Sequence, residues 1–249
     1  MKVTTIGVDL AKSVFQVHGV DAAGKATLHK RLRRNQVLPF FAQLPACLVG
    51  MEACSGAHYW ARELEKFGHT VKLMAPQFVK PYVKANKTDA ADAGAICEAV
   101  SRPSMRFVAV KSVDQHAVLS LHRARAGFVK SRTAQANQIR GLLGEYGIVL
   151  PQGIVHVGSR IPEIVEDDEN GLPIVFRQLL MRLRDFLLEL NRQIQELEEQ
   201  IEAWHRSNAD SQRLAQIPGV GMLTATALVA SIGDARCFKN GREFAAWLG

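Results

Sequence analysis

The order of short strands, turns and helices in the N-terminal third restricts the folds open to this chain more than any other feature. Residues 3–9, 13–20 and 26–32 are β-branched or alternate in polarity, and only tight turns separate them. Because short turns join antiparallel neighbours, these segments predict an antiparallel meander. The chain then alternates predicted helices and strands, which fall at 36–43, 47–51, 57–67 and 70–74.

A three-stranded meander followed by alternating helices and strands matches the order of the ribonuclease H-like (RuvC-like) α/β fold, a mixed sheet with helices. In that order the fourth strand lies parallel beside the first. Asp9 closes the first predicted strand and Glu52 closes the fourth. Since open α/β sheets bind ligands at the carboxyl ends of their parallel strands, we expect these two carboxylates side by side.

A second pair of acids follows among small residues. Asp89 and Asp92 lie three apart behind Thr88, which fits an N-cap, so both fall on one face of a first helical turn. Mg²⁺ binds several carboxylate oxygens, and two-metal phosphoryl-transfer sites need such a set on rigid elements. Together with Asp9 and Glu52, the pair predicts a two-metal Mg²⁺ site. Capping and the helix dipole are the alternative explanation for the pair.

Positive charge is concentrated in the part of the chain that holds these acids. The formal net charge is +7, and the first 160 residues hold 22 Lys and Arg against 10 Asp and Glu. This distribution suits a nucleic acid, although a basic protein without such a partner is the alternative. The cations predicted to contact phosphates near the acids are Lys12, Arg33, Arg34, Lys84 and Lys87.

Beyond residue 110 the pattern becomes helical. Residues 112–146 predict a long basic helix, whose candidate nucleic-acid contacts are Arg123, Arg125, Lys130, Arg132 and Arg140. Residues 147–173, with their prolines, glycines and acids, predict a loop or linker. Nine apolar residues from Phe176 to Trp204 then alternate spacings of four and three. This heptad seam predicts either a coiled coil that builds a homo-oligomer over 176–204 or a helix packed on the basic helix of its own chain.

A Gly-rich turn, Ile217-Pro218-Gly219-Val220-Gly221, precedes a predicted helix over 223–232. In helix-hairpin-helix elements such a turn presents backbone N–H groups to a DNA phosphate, so Gly219 and Gly221 are candidate contacts. An ordinary connection between two packed helices is the alternative.

Targeting signals and metal-binding cysteines are not evident. No apolar run approaches the roughly 18 residues of a membrane span, and the N-terminus reads as a strand instead of a signal peptide. The four cysteines form no CxxC pair, which predicts reduced thiols. We therefore expect a cytoplasmic protein with no membrane partner.

Several motifs carry a resemblance to a known family. They are Ile6–Lys12 (IGVDLAK), Gly50–Ala53 (GMEA), Asn86–Ala93 (NKTDAADA) and the stretch from Ile217 to Leu248. Over essentially its whole length the chain resembles the DEDD transposases of the insertion-sequence 110 type. The resemblance implies three regions: a RuvC-like catalytic domain at 1–110, a helical coiled-coil region at 111–206 and the start of a C-terminal transposase domain at 207–249. The Mg²⁺ ligands that it implies are Asp9, Glu52, Asp89 and Asp92.

The resemblance also implies an activity and partners. The family's elements excise and integrate as circular DNA, guided by a structured bridge RNA from the element's own end. We therefore expect a bacterial protein associated with the nucleoid. Family members continue past the segment that matches residues 244–249 into a basic stretch with the serine that attacks DNA. We therefore expect a C-terminally truncated chain without that nucleophile.

Two other functions stay open on the residues. A junction-resolving endonuclease would use the same acids to activate water and would need no serine. A non-catalytic remnant would only bind DNA or RNA. The segment Asp9-Leu10-Ala11-Lys12-Ser13 could imitate the phosphate loop of an ATP-binding protein of the actin and sugar-kinase superfamily. That function is disfavoured, because no second, Gly-rich phosphate loop is found in a duplicated half.

Overall fold

The computed structural model describes residues 3–83, 89–232 and 238–248, and it describes the backbone alone at residues 89, 90, 247 and 248. Its contacts divide the chain into two units, Met1–Lys111 with Gly233–Gly249 and Ser112–Ile232. Lys84, Lys87 and Thr88, which the sequence placed near the acids, lie outside the described residues. In the described ranges, no helix is both long and apolar enough to cross a membrane.

One mixed sheet of six strands forms the centre of the first unit. The strands are β1 (Thr5–Asp9), β2 (Val14–Val20), β3 (Ala26–Arg33), β4 (Leu48–Glu52), β5 (Thr70–Met74) and β6 (Phe107–Val108). Their order across the sheet is β3-β2-β1-β4-β5-β6. The predicted meander is confirmed by the antiparallel pairs β1–β2 and β2–β3, and the predicted parallel pairing of β1 with β4 is confirmed as well. β5 extends the sheet in parallel and β6 in antiparallel orientation.

The helices follow in chain order along both units. They are α1 (Val37–Ala42), α2 (Ala57–Glu65), α3 (Pro76–Val79), α4 (Asp89–Val100), α5 (Val113–Gly144), α6 (Ile154–Glu166), α7 (Ile174–Ser207), α8 (Ala209–Ala215), α9 (Met222–Ile232) and α10 (Gly241–Leu248). In the first unit, α1 and α2 cover one face of the sheet, where alternate residues such as Ile6, Val8, Val49 and Met51 are fully buried.

α4 covers the opposite face of the sheet at unusually short range. A Cβ on Gly7 of β1 would overlap the carbonyl oxygen of Ala93 and the amide nitrogen of Cys97. A Cβ on Gly50 of β4 would lie 2.7 Å from the Cβ of Val100. The two glycines are partners across the parallel β1–β4 pair. Because neither has a side chain, α4 packs directly against the backbone of the sheet at this pair.

In the second unit, α5 and α7 run antiparallel. Arg125 bonds Glu198 at 2.7 Å, and the Gln135 side chain donates to the Leu183 carbonyl at 3.1 Å, so rising numbers on one helix meet falling numbers on the other. The heptad residues of α7 that are buried in this unit include Phe176, Leu180, Leu187, Leu190, Ile194 and Ile201. The predicted seam therefore packs within its own chain, which is the second of the two alternatives.

Residues 147–173 are not the loop that the sequence predicted, because they contain α6. Val157 and Ile161 of this helix are fully buried against α7. Pro162 lies inside the helix and has no N–H to donate to the carbonyl of Gly158, four residues earlier. Arg184 of α7 replaces the missing donor, since its Nε bonds that carbonyl at 3.0 Å. The proline signal was misleading because a tertiary contact compensates for it.

The Gly-rich turn joins α8 to α9. Gly219 has φ +88°, a left-handed conformation that L side chains rarely adopt. The Val220 amide donates to the Ile217 carbonyl at 3.0 Å and closes the turn, and both glycines are exposed. The backbone at this turn is therefore accessible to solvent ahead of α9.

Candidate active site

Asp9 and Glu52 end adjacent parallel strands at the same edge of the sheet. Val8 of β1 is the partner of Met51 of β4, so each acid lies one residue beyond that pair. Side chains alternate along a strand, and both acids lie two residues after a glycine that faces α4. The strands are about 4.8 Å apart. The two half-buried carboxylates therefore project side by side on the α4 face of the sheet.

α4 directs its first turn towards this edge. The Cys97 thiol contacts the Thr5 carbonyl at 3.6 Å, at the beginning of β1, whereas Ala93, one turn earlier in α4, lies against Gly7. Residues nearer the beginning of α4 therefore lie against residues nearer Asp9 on β1. Asp89 is the first residue of α4, with its side chain outside the described part, and Asp92 is half-buried in the same turn.

Burial and the negative charge at this edge both raise the pKa of the Cys54 thiol. Burial raises the pKa of Cys54 most, and the carboxylate of Glu52 and then that of Asp9 raise it further. The two acids thus act on the same neighbouring group. The Cys54 amide donates to the Glu52 carbonyl at 2.8 Å, which holds the turn after β4 beside the acid. From the sequence alone Cys54 is predicted only as a reduced thiol, because its proximity to Asp9 depends on the β1–β4 pairing.

The donor set is chemically suited to a hard divalent cation. Carboxylate oxygens are the ligands that Mg²⁺ prefers. Asp9 and Glu52 present them from the ends of β1 and β4, and Asp92 presents them from the first turn of α4. Among the side chains that the structure describes, no three His, Cys, Asp or Glu residues come together as a metal site. The fourth predicted ligand, Asp89, is not among those side chains.

Three of the predicted phosphate contacts lie at the edge that carries Asp9. Lys12 follows β1 in the turn to β2, and Arg33 ends β3 opposite Val14, the first residue of β2. Arg34 bonds the Lys12 carbonyl at 3.4 Å, and its guanidinium lies 5.1 Å from the centre of the Trp60 ring. The aromatic contact of Arg34 was not foreseen, because Trp60 comes from α2, 26 positions later in the sequence.

The five basic residues of α5 differ in what they contact. Arg125 pairs with Glu198 of α7, and the Arg132 guanidinium bonds the Asn191 side chain at 3.4 Å. Arg140 donates to the carbonyls of Pro151 and Gly153, both at 2.8 Å. Arg123 and Lys130 are exposed. Three of the five cations therefore hold their own unit together, and two present their charge to solvent.

A mixed sheet with a carboxylate at the end of each of two adjacent parallel strands, and with helices on both faces, is consistent with a DEDD nuclease-like domain. Residues 6–148 match the family model of DEDD transposases of the IS110 type, described as a transposase. Residues 211–249 match the model described as the transposase IS116/IS110/IS902 family. The chain therefore belongs to the IS110 family of DEDD transposases, and the family predicted from its motifs is confirmed.

Named relatives agree with this assignment. The chain is 53% identical to a probable family 20 transposase of Pseudomonas aeruginosa, over 100% of this chain and 74% of that protein. It is 42% identical to the transposase for insertion sequence element IS1328 of Yersinia enterocolitica, over 99% of this chain and 73% of that protein. It is 43% identical to the transposase for insertion sequence element IS1111A of Coxiella burnetii, over 98% of this chain and 67% of that protein. DNA is accordingly the substrate of this protein's family.

Proposed function

We propose that this transposase uses Asp9, Glu52, Asp89 and Asp92 as one carboxylate set for divalent-metal-dependent cleavage and exchange of DNA strands on a RuvC-like, ribonuclease H-like domain. The observation that carries the proposal is the position of Asp9 and Glu52 at the ends of parallel strands, on the face that α4 covers. Gly7 and Gly50 support it, because they allow the helix that begins with Asp89 to approach the sheet closely.

Bound at these acids, two Mg²⁺ ions would supply Lewis-acid polarisation of the scissile phosphate and stabilise the attacking and leaving oxygens. The chain's own contribution is to fix the acids. The register of β1 and β4 holds Asp9 and Glu52 at one spacing. The turn at Cys54 fixes the backbone after Glu52. If strand exchange follows the family pattern, the attacking group would be the serine that family members carry beyond the segment matching residues 244–249. It would be water if this chain acts as a junction-resolving endonuclease.

We assign nucleic-acid contacts to the cations and to the Gly-rich turn. Lys12, Arg33 and Arg34 lie at the acid edge, and the remaining candidates from the first unit are Lys84 and Lys87. In the second unit, Arg123 and Lys130 project into solvent, whereas Arg125, Arg132 and Arg140 would serve mainly by fixing α5. Gly219 and Gly221 would offer backbone N–H groups to a phosphate, as in a helix-hairpin-helix.

The domain roles and partners are part of the same proposal. Residues 1–110 form the catalytic domain, 111–206 the helical region and 207–249 the start of the transposase domain. A structured guide RNA and a second copy of the chain are the further proposed partners. Because the 176–204 seam packs against α5 and α6 in its own unit, we place the oligomer contact on other faces of α7.

Calorimetric titration with Mg²⁺ and Mn²⁺ tests the metal site. We expect the double variant Asp9→Asn, Glu52→Gln to lose the heat of binding. The control variant Glu65→Gln, Glu145→Gln removes two exposed carboxylates elsewhere and should bind as the unchanged chain does. Equal heats in all three proteins would sink the assignment. In a parallel nicking assay, nicks without a protein–DNA adduct on a denaturing gel would indicate attack by water, and an adduct would indicate that a nucleophile of this chain itself attacks the DNA.

A further inference from the structure

The cross-strand row that contains the two acids continues beyond them to Gln16 and Arg31. Asp9 of β1 is the partner of Gln16 of β2, and Gln16 is the partner of Arg31 of β3. Glu52 lies beside Asp9 on the other side. The row across the edge of the sheet therefore reads Glu52, Asp9, Gln16, Arg31, with two carboxylates followed by an amide and a guanidinium.

The neighbouring row establishes which face these side chains occupy. Gly7 is the partner of His18, and His18 is the partner of His29. The centres of the two histidine rings lie 4.4 Å apart, and a Cβ on Gly94 of α4 would lie 3.7 Å from the Nδ1 of His18. His18 and His29 therefore lie on the α4 face. Gln16 and Arg31 are each two residues away along the same strands, so they lie on that face too.

The opposite face confirms the alternation on β3. Leu32 is buried in the core with α1 and α2, and the ammonium of Lys30 lies 4.9 Å from the centre of the Phe40 ring. Lys30 and Leu32 thus flank Arg31 on the other side of the sheet. Arg31 is exposed, and within the described part of the chain neither Arg31 nor Gln16 has a side-chain hydrogen bond or an ion pair.

We propose that Gln16 and Arg31 bind the sugar–phosphate backbone of the DNA strand whose scissile phosphate lies at the acids. Arg31 is two strand spacings, about 10 Å, from Asp9 along the row, so its side chain reaches a phosphate beside the scissile one. Its planar guanidinium donates to phosphate oxygens, and Gln16, between the two, donates its amide N–H to the same backbone. Both are positioning residues: they hold the strand in line with the acids. This proposal rests on the proposed function, because it takes the acids as the position of the cut.

Fluorescence anisotropy of a labelled DNA duplex, measured with Ca²⁺ over a range of KCl concentrations, tests the proposal. Arg31→Gln removes one phosphate contact, so it should weaken binding about five- to tenfold near 0.1 M salt and reduce the slope of log K against log salt by about one. Arg31→Lys should retain the slope. Gln16→Ala should weaken binding without changing the slope, since a neutral donor releases no counterion.

Lys25→Gln is the matched control, because it removes the same charge from an exposed residue before β3, at the opposite end of the hairpin. It should bind DNA within twofold of the unchanged chain. Equal losses for Arg31→Gln and Lys25→Gln, an unchanged slope in Arg31→Gln, or no DNA binding by the unchanged chain would overturn the proposal. Calorimetry with Mn²⁺ separates the DNA-contact proposal from the metal-site proposal. Arg31→Gln should bind Mn²⁺ as the unchanged chain does. If the unchanged chain bound DNA but no Mn²⁺, the result would count against the metal site at the acids and not against the DNA contact of Arg31.

Discussion

Gly7 of β1 lies so close to Ala93 of α4 that a Cβ on Gly7 would overlap the Ala93 carbonyl oxygen. The overlapping atoms belong to the helix backbone, so no side chain can rotate away to relieve the clash. We expect Gly7→Ala to lower the free energy of unfolding by about 3 kcal/mol or more. Urea denaturation measures this change.

Gly127 is the control for that substitution. It lies exposed in the interior of α5, and a Cβ there would meet nothing within 4 Å. Gly127→Ala should therefore stabilise the protein, by up to about 1 kcal/mol, because alanine is the better helix former. If Gly7→Ala were tolerated as well as Gly127→Ala, the close approach of α4 to β1 would be wrong.

Arg184 should matter to stability because of Pro162. The Arg184 Nε donates to the Gly158 carbonyl, the group that Pro162 leaves without an intrahelical donor. We expect Arg184→Met to cost about 1.5–3 kcal/mol, as for a hydrogen bond to a charged group. In a Pro162→Ala background the alanine N–H can bond the same carbonyl, so the cost should fall by about 1 kcal/mol. A double-mutant cycle measures the coupling, and equal costs in both backgrounds would refute the compensation.

His69 joins three segments of the first unit, namely α1, the residue before β4 and the residue before β5. Its Nε2 donates to the Phe41 carbonyl at 3.1 Å and its Nδ1 accepts from the Cys47 amide at 3.3 Å, while the ring is 3% exposed. His69→Ala leaves the Cys47 amide without its acceptor, removes one of the donors to the Phe41 carbonyl, which the Leu44 amide still bonds at 3.0 Å, and opens a cavity. We expect a loss of about 2–4 kcal/mol in urea denaturation. His156→Ala, at an exposed position of α6, should change stability by less than about 0.5 kcal/mol.

His122 should make stability depend on pH. Its Nε2 lies 3.0 Å from the Thr226 hydroxyl, and burial first, then the charge of Arg125, lowers its pKa below the ordinary 6.5. The unfolded chain binds a proton more readily than the folded one, so His122 favours folding fully above pH 6.5 and loses that contribution as pH falls through the lowered pKa. The melting temperature should therefore drop between about pH 7 and pH 5, and His122→Gln should reduce the drop. An unchanged pH profile in the variant would contradict this role.

The strands and the acid pair were within reach of sequence reasoning. Short β-branched segments with tight turns between them leave few pairings, so the positions of β1 to β5 and the parallel neighbours β1 and β4 were predicted and are confirmed. Asp9 and Glu52 were singled out because each ends such a strand. Local pattern suffices here, since alternation and turn length are properties of adjacent residues.

α6 and the partner of the heptad seam were not within reach in the same way. Pro162 argues locally against a helix, and only Arg184, 22 residues later, supplies the missing donor. The spacing from Phe176 to Trp204 shows that a seam exists, but a second copy of the chain and α5 offer the same kind of surface to it.

The sequence by itself determined the order of β1 to β5 and of the helices between them, the two acids that close β1 and β4, and the family, because these follow from patterns along the chain. Only the tertiary structure decided which side chains share a row. A shift of one residue in the pairing of β2 with β3 would turn Arg31 to the opposite face of the sheet. That register depends on contacts between strands, such as the one between the His18 and His29 rings, and on the packing of Gly94 of α4 against His18, and no stretch of adjacent residues encodes it.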